Sequence, residues 1–293
     1  MLIATLIAAD QLRKGELNSA ADRLAGAGAK ITGIGDIVDG KAADIHFEGD
    51  LEKAQQALLL EGSMIDFVVQ PASNREKKLL ISDMDSTMIT IECIDELAGY
   101  AGIKEQIAAV TERAMLGELD FEEALRSRVS LLAGLELSAI EQCLDEKVEI
   151  MPGAKLLVQT MAARGAMTIL VSGGFTRFAD PVARDIGFAK FEANILAEAD
   201  GRLTGSLNGS IVDAARKAEI LRQGALSAGL SLDQCMAVGD GANDIPMIAL
   251  AGMGVAYHAK PKAAAAADAA ISHNDLTALL YIQGIGSKDW VTI

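Results

Sequence analysis

Basic residues are scarce in this chain: 26 Lys and Arg stand against 41 Asp and Glu, leaving a formal charge of −15. That balance argues against nucleic acid or an anionic membrane as a partner, because both are bound through basic surface. It also means that an anionic substrate must meet a locally cationic site, built from a few Lys or Arg or from a metal ion. Cysteines are equally sparse. Cys93, Cys143 and Cys235 stand far apart, an odd set that implies neither a disulfide framework nor a zinc cluster. His46, His258 and His273 have no metal-ligand spacing to one another and read as loop or surface residues. No apolar stretch reaches the roughly 18 uninterrupted residues of a membrane helix. The opening "MLIATLIAA" has no basic region before it, so it reads as a strand rather than a signal peptide. With no export signal, a reducing cytoplasm is the simplest setting.

What is present fits a packed globule. The 293 residues are 51% apolar and long enough for two domains. Residues 1–75 alternate as strand, helix, strand, strand, helix, strand, with Asp39-Gly40 as a turn and Gly62 ending the second helix. That βαββαβ order is ferredoxin-like, an α+β unit. A polar linker, "PASNREKK", follows. From Leu79 onward, the short apolar runs "LLIS", "AMTILVS", "CMAVG" and "GVAYH" are separated by helical segments. This predicts an α/β domain over residues 76–293, a Rossmann-like parallel sheet covered by helices. Three helical segments between Glu92 and Glu149 form an insertion that would sit over the sheet as a cap. Later, Asp200-Gly201 and Asn208-Gly209 read as hairpin turns, and the alanine run after Lys262 as helix.

In such sheets ligands sit beyond the carboxyl ends of the strands. "DMDST", "SGGF" and "GDGAND" all follow apolar runs, so they should converge on one crevice. Asp83 at a strand tip can act as a nucleophile toward phosphorus, forming an aspartyl-phosphate. Asp85, two residues on, faces the same pocket and can serve as general acid and base. Ser86 and Thr87 add hydroxyls. Asp240 and Asp244, with Asn243 between them, add more acid. Carboxylates meeting a phosphate need a divalent cation, and Mg²⁺ suits oxygen ligands. The plainer reading of "DMDST" is an Asx-turn or N-cap cluster. Ser172 and the glycines after it can hold a phosphate oxygen, although Gly pairs are also common in plain turns. Lys217 near a helix start is ordinarily a surface lysine; a crevice of acids and phosphate would give it a partner. Arg128 is more informative. It falls on the apolar stripe of Phe121, Leu125, Val129 and Leu132, whereas Arg126 points away. It is either a snorkelling side chain or a fork for a carboxylate. Glu92 at the cap entrance could take an ammonium, or be a plain first-turn glutamate. Together the two match the charges of an amino acid.

"DMDST", "SGGF", Lys217 and "GDGAND" resemble the four motifs of haloacid dehalogenase-type phosphatases. "IECIDELA" and "AMLGELDFEEALRSRVSLLAGL" resemble the cap of phosphoserine phosphatases, and the N-terminal unit is similar to the ACT-like domain some bacterial members carry. The resemblance spans roughly residues 78–285. It implies hydrolysis of O-phospho-L-serine through an aspartyl-phosphate at Asp83, the last step of serine biosynthesis. It implies Asp85 as acid and base, and one Mg²⁺ held by Asp83, the Asp85 carbonyl and Asp240. Ser172, Gly173 and Lys217 would hold the phosphoryl group. Glu92, Arg128 and Asn243 would hold the serine part, Met115 and Phe121 would line the cap, and Asp244 and Thr87 would support the site. A homodimer through the N-terminal unit is a further expectation. The rivals are a phosphotransferase using phosphoserine, a sugar or nucleotide phosphatase of the same superfamily, and an amino-acid sensor with a vestigial catalytic half. The sugar or nucleotide reading leaves Arg128 unexplained, and the intact acids with Lys217 count against the sensor.

Overall fold

A computed structural model describes residues 1–59, 64–115 and 118–292. It opens with β1 (Leu2–Ala8), α1 (Lys14–Gly26), β2 (Lys30–Ile34), β3 (Ala42–Glu48), α2 (Leu51–Leu58) and β4 (Ile65–Pro71). These strands form an antiparallel sheet in the order β2-β3-β1-β4, the ferredoxin-like arrangement. Strand alternation sorts the side chains: Ala4, Leu6, Ile45 and Phe47 pack against Leu17 and Leu24 of α1 and Ala54 of α2. Gly62, expected to end α2, lies outside the described residues.

The opposite face of this sheet is also covered. Ile7, Ala42 and Val68 join the main apolar core of the remaining chain. Asp66 accepts hydrogen bonds from the backbone N–H groups of Ser272, His273 and Asn274 at 3.0, 3.1 and 3.1 Å. Arg75 donates to both Asp44 oxygens at 2.7 Å and to the Ile282 carbonyl at 2.8 Å. Satisfying these buried groups fixes the small sheet against the larger one.

The second sheet begins with β5 (Leu79–Ser82). A helical cap follows: α3 (Cys93–Ala101), α4 (Lys104–Met115), α5 (Phe121–Leu131) and α6 (Leu137–Lys147). Then come α7 (Ala154–Ala163), β6 (Met167–Phe175), α8 (Thr176–Ile186), β7 (Lys190–Ala199), β8 (Arg202–Asn208) and α9 (Ala214–Ser227). The chain closes with β9 (Cys235–Gly239), α10 (Ile245–Leu250), β10 (Met253–Tyr257), α11 (Pro261–Ala266), β11 (Ala269–Ile271) and α12 (Ala278–Ile282). The strand order is β11-β10-β9-β5-β6-β7-β8, parallel except for β8. The central strand β5 is buried at every residue, as an apolar run sandwiched by helices must be. The chain leaves β5 for β6 on one side and later returns to β9 on the other. That reversal opens a crevice beyond the carboxyl ends.

Two local expectations need correction. Asp200-Gly201 turns β7 into β8, with φ of 50° and 76°. Asn208-Gly209 makes no second hairpin: β8 is the sheet edge, and the chain passes on to α9. The alanine run is helical only to Ala266, and Ala269–Ile271 pairs with β10. The helix preference of alanine yields there to a parallel ladder that buries Ala269 and Ile271.

Candidate active site

Three strand ends meet at the crevice. Asp83 follows β5, and its N–H donates to the Val238 carbonyl of β9 at 2.9 Å. Asp83 is 5% exposed. Lys217, in the first turn of α9, is wholly buried and donates to Asp83 Oδ1 at 2.5 Å and Asp244 Oδ1 at 2.7 Å. Burial works against the ammonium, but the two carboxylates outweigh it and raise its pKa. For Asp83 burial acts first and Asp244 second, so its carboxyl is held well above the usual range despite Lys217. The reason is simple: one ammonium serves two acids. On the other flank, β6 leaves its ladder with β7 between Val171 and Phe175, and "SGG" arches into the crevice. A Cβ at Gly174 would lie 3.0 Å from Ser172 Oγ and 3.3 Å from Asp85 Oδ2, in the space between them. One at Gly173 would meet the Phe121 ring at 3.3 Å, which places that cap residue over the loop.

Asp85 is held from above. Cys93, the first residue of α3, donates to it twice: the backbone N–H to Oδ2 at 3.3 Å and the thiol to Oδ1 at 3.1 Å. In the sequence Cys93 reads only as an unpaired cysteine; its position at the start of a helix, eight residues past Asp85, is the signal that marks it. Burial and the Glu92 charge push Asp85 up to about 7, against those hydrogen bonds. Glu92 is the N-cap residue of α3 and accepts from Ser86 Oγ at 2.7 Å. Arg128 is half-buried on α5 beside Leu125 and Val129. Among the described residues it makes no close ion pair; its Nε donates to the Ala124 carbonyl at 3.4 Å, and Asp95 and Glu92 act on its charge from further off. Thr87 donates to Asp240 at 3.3 Å, and Asn243 is half-buried in the 3-10 turn after β9. The Met115 side chain lies outside the described residues.

The similarities to known proteins fit this geometry. Residues 80–249 match the haloacid dehalogenase-like hydrolases. The phosphoserine phosphatase of Streptomyces coelicolor is 42% identical over 82% of this chain, which spans only 59% of that relative's own length. A probable phosphoserine phosphatase of Schizosaccharomyces pombe is 46% identical, over 73% of this chain and 72% of that protein. The chain belongs to the haloacid dehalogenase-like hydrolase family. In structure, this hydrolase superposes on a probable phosphoserine phosphatase from Vibrio cholerae with a TM-score of 0.79 at 34% identity, covering 96% of this chain and 86% of the other.

The hydrolase's acids fit a divalent cation. Carboxylate oxygens of Asp83, Asp240 and Asp244 lie within 4.8 Å of one another. Asp244 is already committed, one oxygen to Lys217 and the other to the Gly241 N–H at 3.0 Å. Among the described residues the Asp240 carboxylate has only the long Thr87 contact, so its lone pairs are the freer ones, and burial with Asp244 pushes it up to about 6. A set of hard oxygens short of positive charge is the donor chemistry of Mg²⁺ or a similar ion. Stability should report this. Without a cation, folded Asp85 and Asp240 keep protons that the unfolded chain has already lost at their ordinary values near 3.9. The folded state therefore binds more protons between about pH 4 and 7, and stability falls as pH rises through that window. Thermal melts of the cation-free protein should give a higher Tm at pH 5 than at pH 8. Mg²⁺ should raise Tm most at pH 8, where it binds ionised acids. A Tm that rises with pH, or a Mg²⁺ effect equal at both, would contradict the assignment.

Proposed function

We propose that this hydrolase converts O-phospho-L-serine and water to L-serine and phosphate. The observation that supports the reading best is Asp83 against Lys217 at the tip of β5, with Glu92 of the cap acting on Asp85 and Arg128 of the cap near enough to Glu92 for their opposite charges to act on each other. Asp83 attacks phosphorus while the bond from phosphorus to the serine oxygen breaks. Asp85, with a pKa near 7, gives that oxygen its proton and then takes one from the water that attacks the aspartyl-phosphate, releasing Asp83. Ser172 and Lys217 hold the phosphoryl oxygens, with the Gly173 amide beside them. Lys217 is held charged by its acid partners, so it offers a fixed cation at no cost of reorganisation during the reaction. A Mg²⁺ ion, held by Asp83, Asp240 and the Asp85 carbonyl, would neutralise charge on the transferring group. Arg128 pairs with the substrate carboxylate through its planar fork, and Glu92 and Asn243 hold the amine side. Phe121 closes over the loop.

The direct test is Mg²⁺-dependent phosphate release from phosphoserine against a panel of other phosphomonoesters. Phosphoserine should be preferred, and a sugar phosphate or nucleotide hydrolysed faster would reject the substrate. Arg128→Ala should lower kcat/KM for phosphoserine by about 10- to 100-fold, mostly through KM, because a charge-assisted pair is lost. Slow hydrolysis of p-nitrophenyl phosphate, which has no carboxylate to bind, should persist. Equal losses on both esters would remove Arg128 from substrate recognition.

A further inference from the structure

Asn194 belongs to none of the strand-end loops, yet it joins two of the elements that hold the phosphoryl group. It lies on β7 opposite Phe175, where β6 has just rejoined the ladder after its "SGG" arch, and is 1% exposed. Its amide fills the break in the ladder. Nδ2 donates to the Gly173 carbonyl at 2.8 Å, and Oδ1 accepts from the Val212 N–H at 2.9 Å. The Gly173 carbonyl shares one planar peptide unit with the Gly174 N–H. That N–H donates to Ser172 Oγ at 2.8 Å. Fixing one end of the unit therefore fixes the other. A hydroxyl that accepts at its oxygen keeps its own hydrogen for another partner, and the Ser172 hydrogen is left to donate into the crevice. At the other end of the amide, Val212 precedes Asp213, the cap of α9, whose carbonyl accepts from the Lys217 N–H at 3.0 Å.

We propose that Asn194 is the positioning residue of the phosphoryl-holding loop: its amide sets the Gly173–Gly174 peptide so that the Ser172 hydroxyl donates to the phosphoryl group, in register with Lys217. The inference rests on the phosphatase reading but not on serine as the leaving group. Asn194 touches no substrate atom; it acts through Ser172. A residue that merely filled the ladder would matter to stability alone.

A double-mutant cycle separates the two roles. Asn194→Asp keeps the side-chain volume and an acceptor for Val212, but turns an oxygen toward the Gly173 carbonyl in place of the donor. It should lower kcat/KM for phosphoserine and for p-nitrophenyl phosphate by the same factor, about 10- to 100-fold, and weaken the binding of inorganic phosphate in parallel. In a Ser172→Ala background, where the hydroxyl is already gone, the same change should cost less than about 3-fold. Losses that multiply would overturn the proposal, as would unaltered phosphate binding with only a lowered Tm. Asn194→Ser, smaller and neutral, carries the same cycle if the aspartate variant does not fold. If the parent enzyme ignores phosphoserine yet hydrolyses p-nitrophenyl phosphate, the substrate reading fails while the cycle on the generic ester still decides the role of Asn194.

Discussion

Asp83→Asn should lower phosphate release from phosphoserine by at least about 10^4-fold, because an amide cannot replace a carboxylate as the attacking group. Lost folding would be the competing explanation, but the substitution is isosteric and the electrostatics exclude it. Asp83 is buried, shares Lys217 with Asp244, and is held well above its ordinary pKa. Its charge costs the folded protein free energy in the absence of a cation. Removing that charge leaves Lys217 paired with Asp244 alone, a balanced ion pair. The cation-free variant should therefore melt at the same temperature as the parent or higher, at pH 8. An inactive variant that melts lower would be uninformative about chemistry and would contradict this charge balance. A variant that retains a tenth of the parent rate would remove Asp83 as the nucleophile.

Lys217→Met should show the reverse pattern, with both activity and stability falling. The methionine chain fills most of the lysine's volume, so the effect reports charge. Asp83 and Asp244 then face each other with no cation between them, and breaking a buried pair in this way costs about 3–5 kcal/mol. Catalysis loses the fixed cation beside the phosphoryl group, about 10^2- to 10^3-fold. Denaturant melts at pH 8 and steady-state rates test both halves. Because the two acids regain a counter-charge when a divalent cation binds, Mg²⁺ should recover part of the stability and little of the rate. A variant as stable as the parent without Mg²⁺ would show that the lysine does not compensate these acids.

Much of this arrangement is legible in the sequence because the parallel sheet converts order along the chain into position. Once "LLIS", "AMTILVS" and "CMAVG" are strands, the loops after them must share one end of the sheet. Arg128 is legible for a different reason: helical spacing puts it on a stripe whose Leu125 and Val129 are buried. Lys217 is not legible from its own surroundings. Nothing local distinguishes it from a surface lysine, and only the sheet brings Asp83 and Asp244 to it from 134 and 27 residues away. The hold of Cys93 on Asp85 depends on how α3 enters the cap, which no periodicity encodes. Asn194 is harder still, since its role arises from a one-sided break in the β6–β7 register. The strand Ala269–Ile271 hides in an alanine run because its stabilisation is entirely tertiary.

The measurement that bears most directly on the central claim is capture of the covalent intermediate. The enzyme is mixed with ³²P-labelled phosphoserine and Mg²⁺, quenched in acid within the first turnover, and digested for mapping. The label should sit on the peptide carrying Asp83, survive acid and leave on treatment with hydroxylamine, as an acyl phosphate does. Label on another residue, or continued phosphate release with no protein-bound label at any quench time, would contradict nucleophilic attack by Asp83.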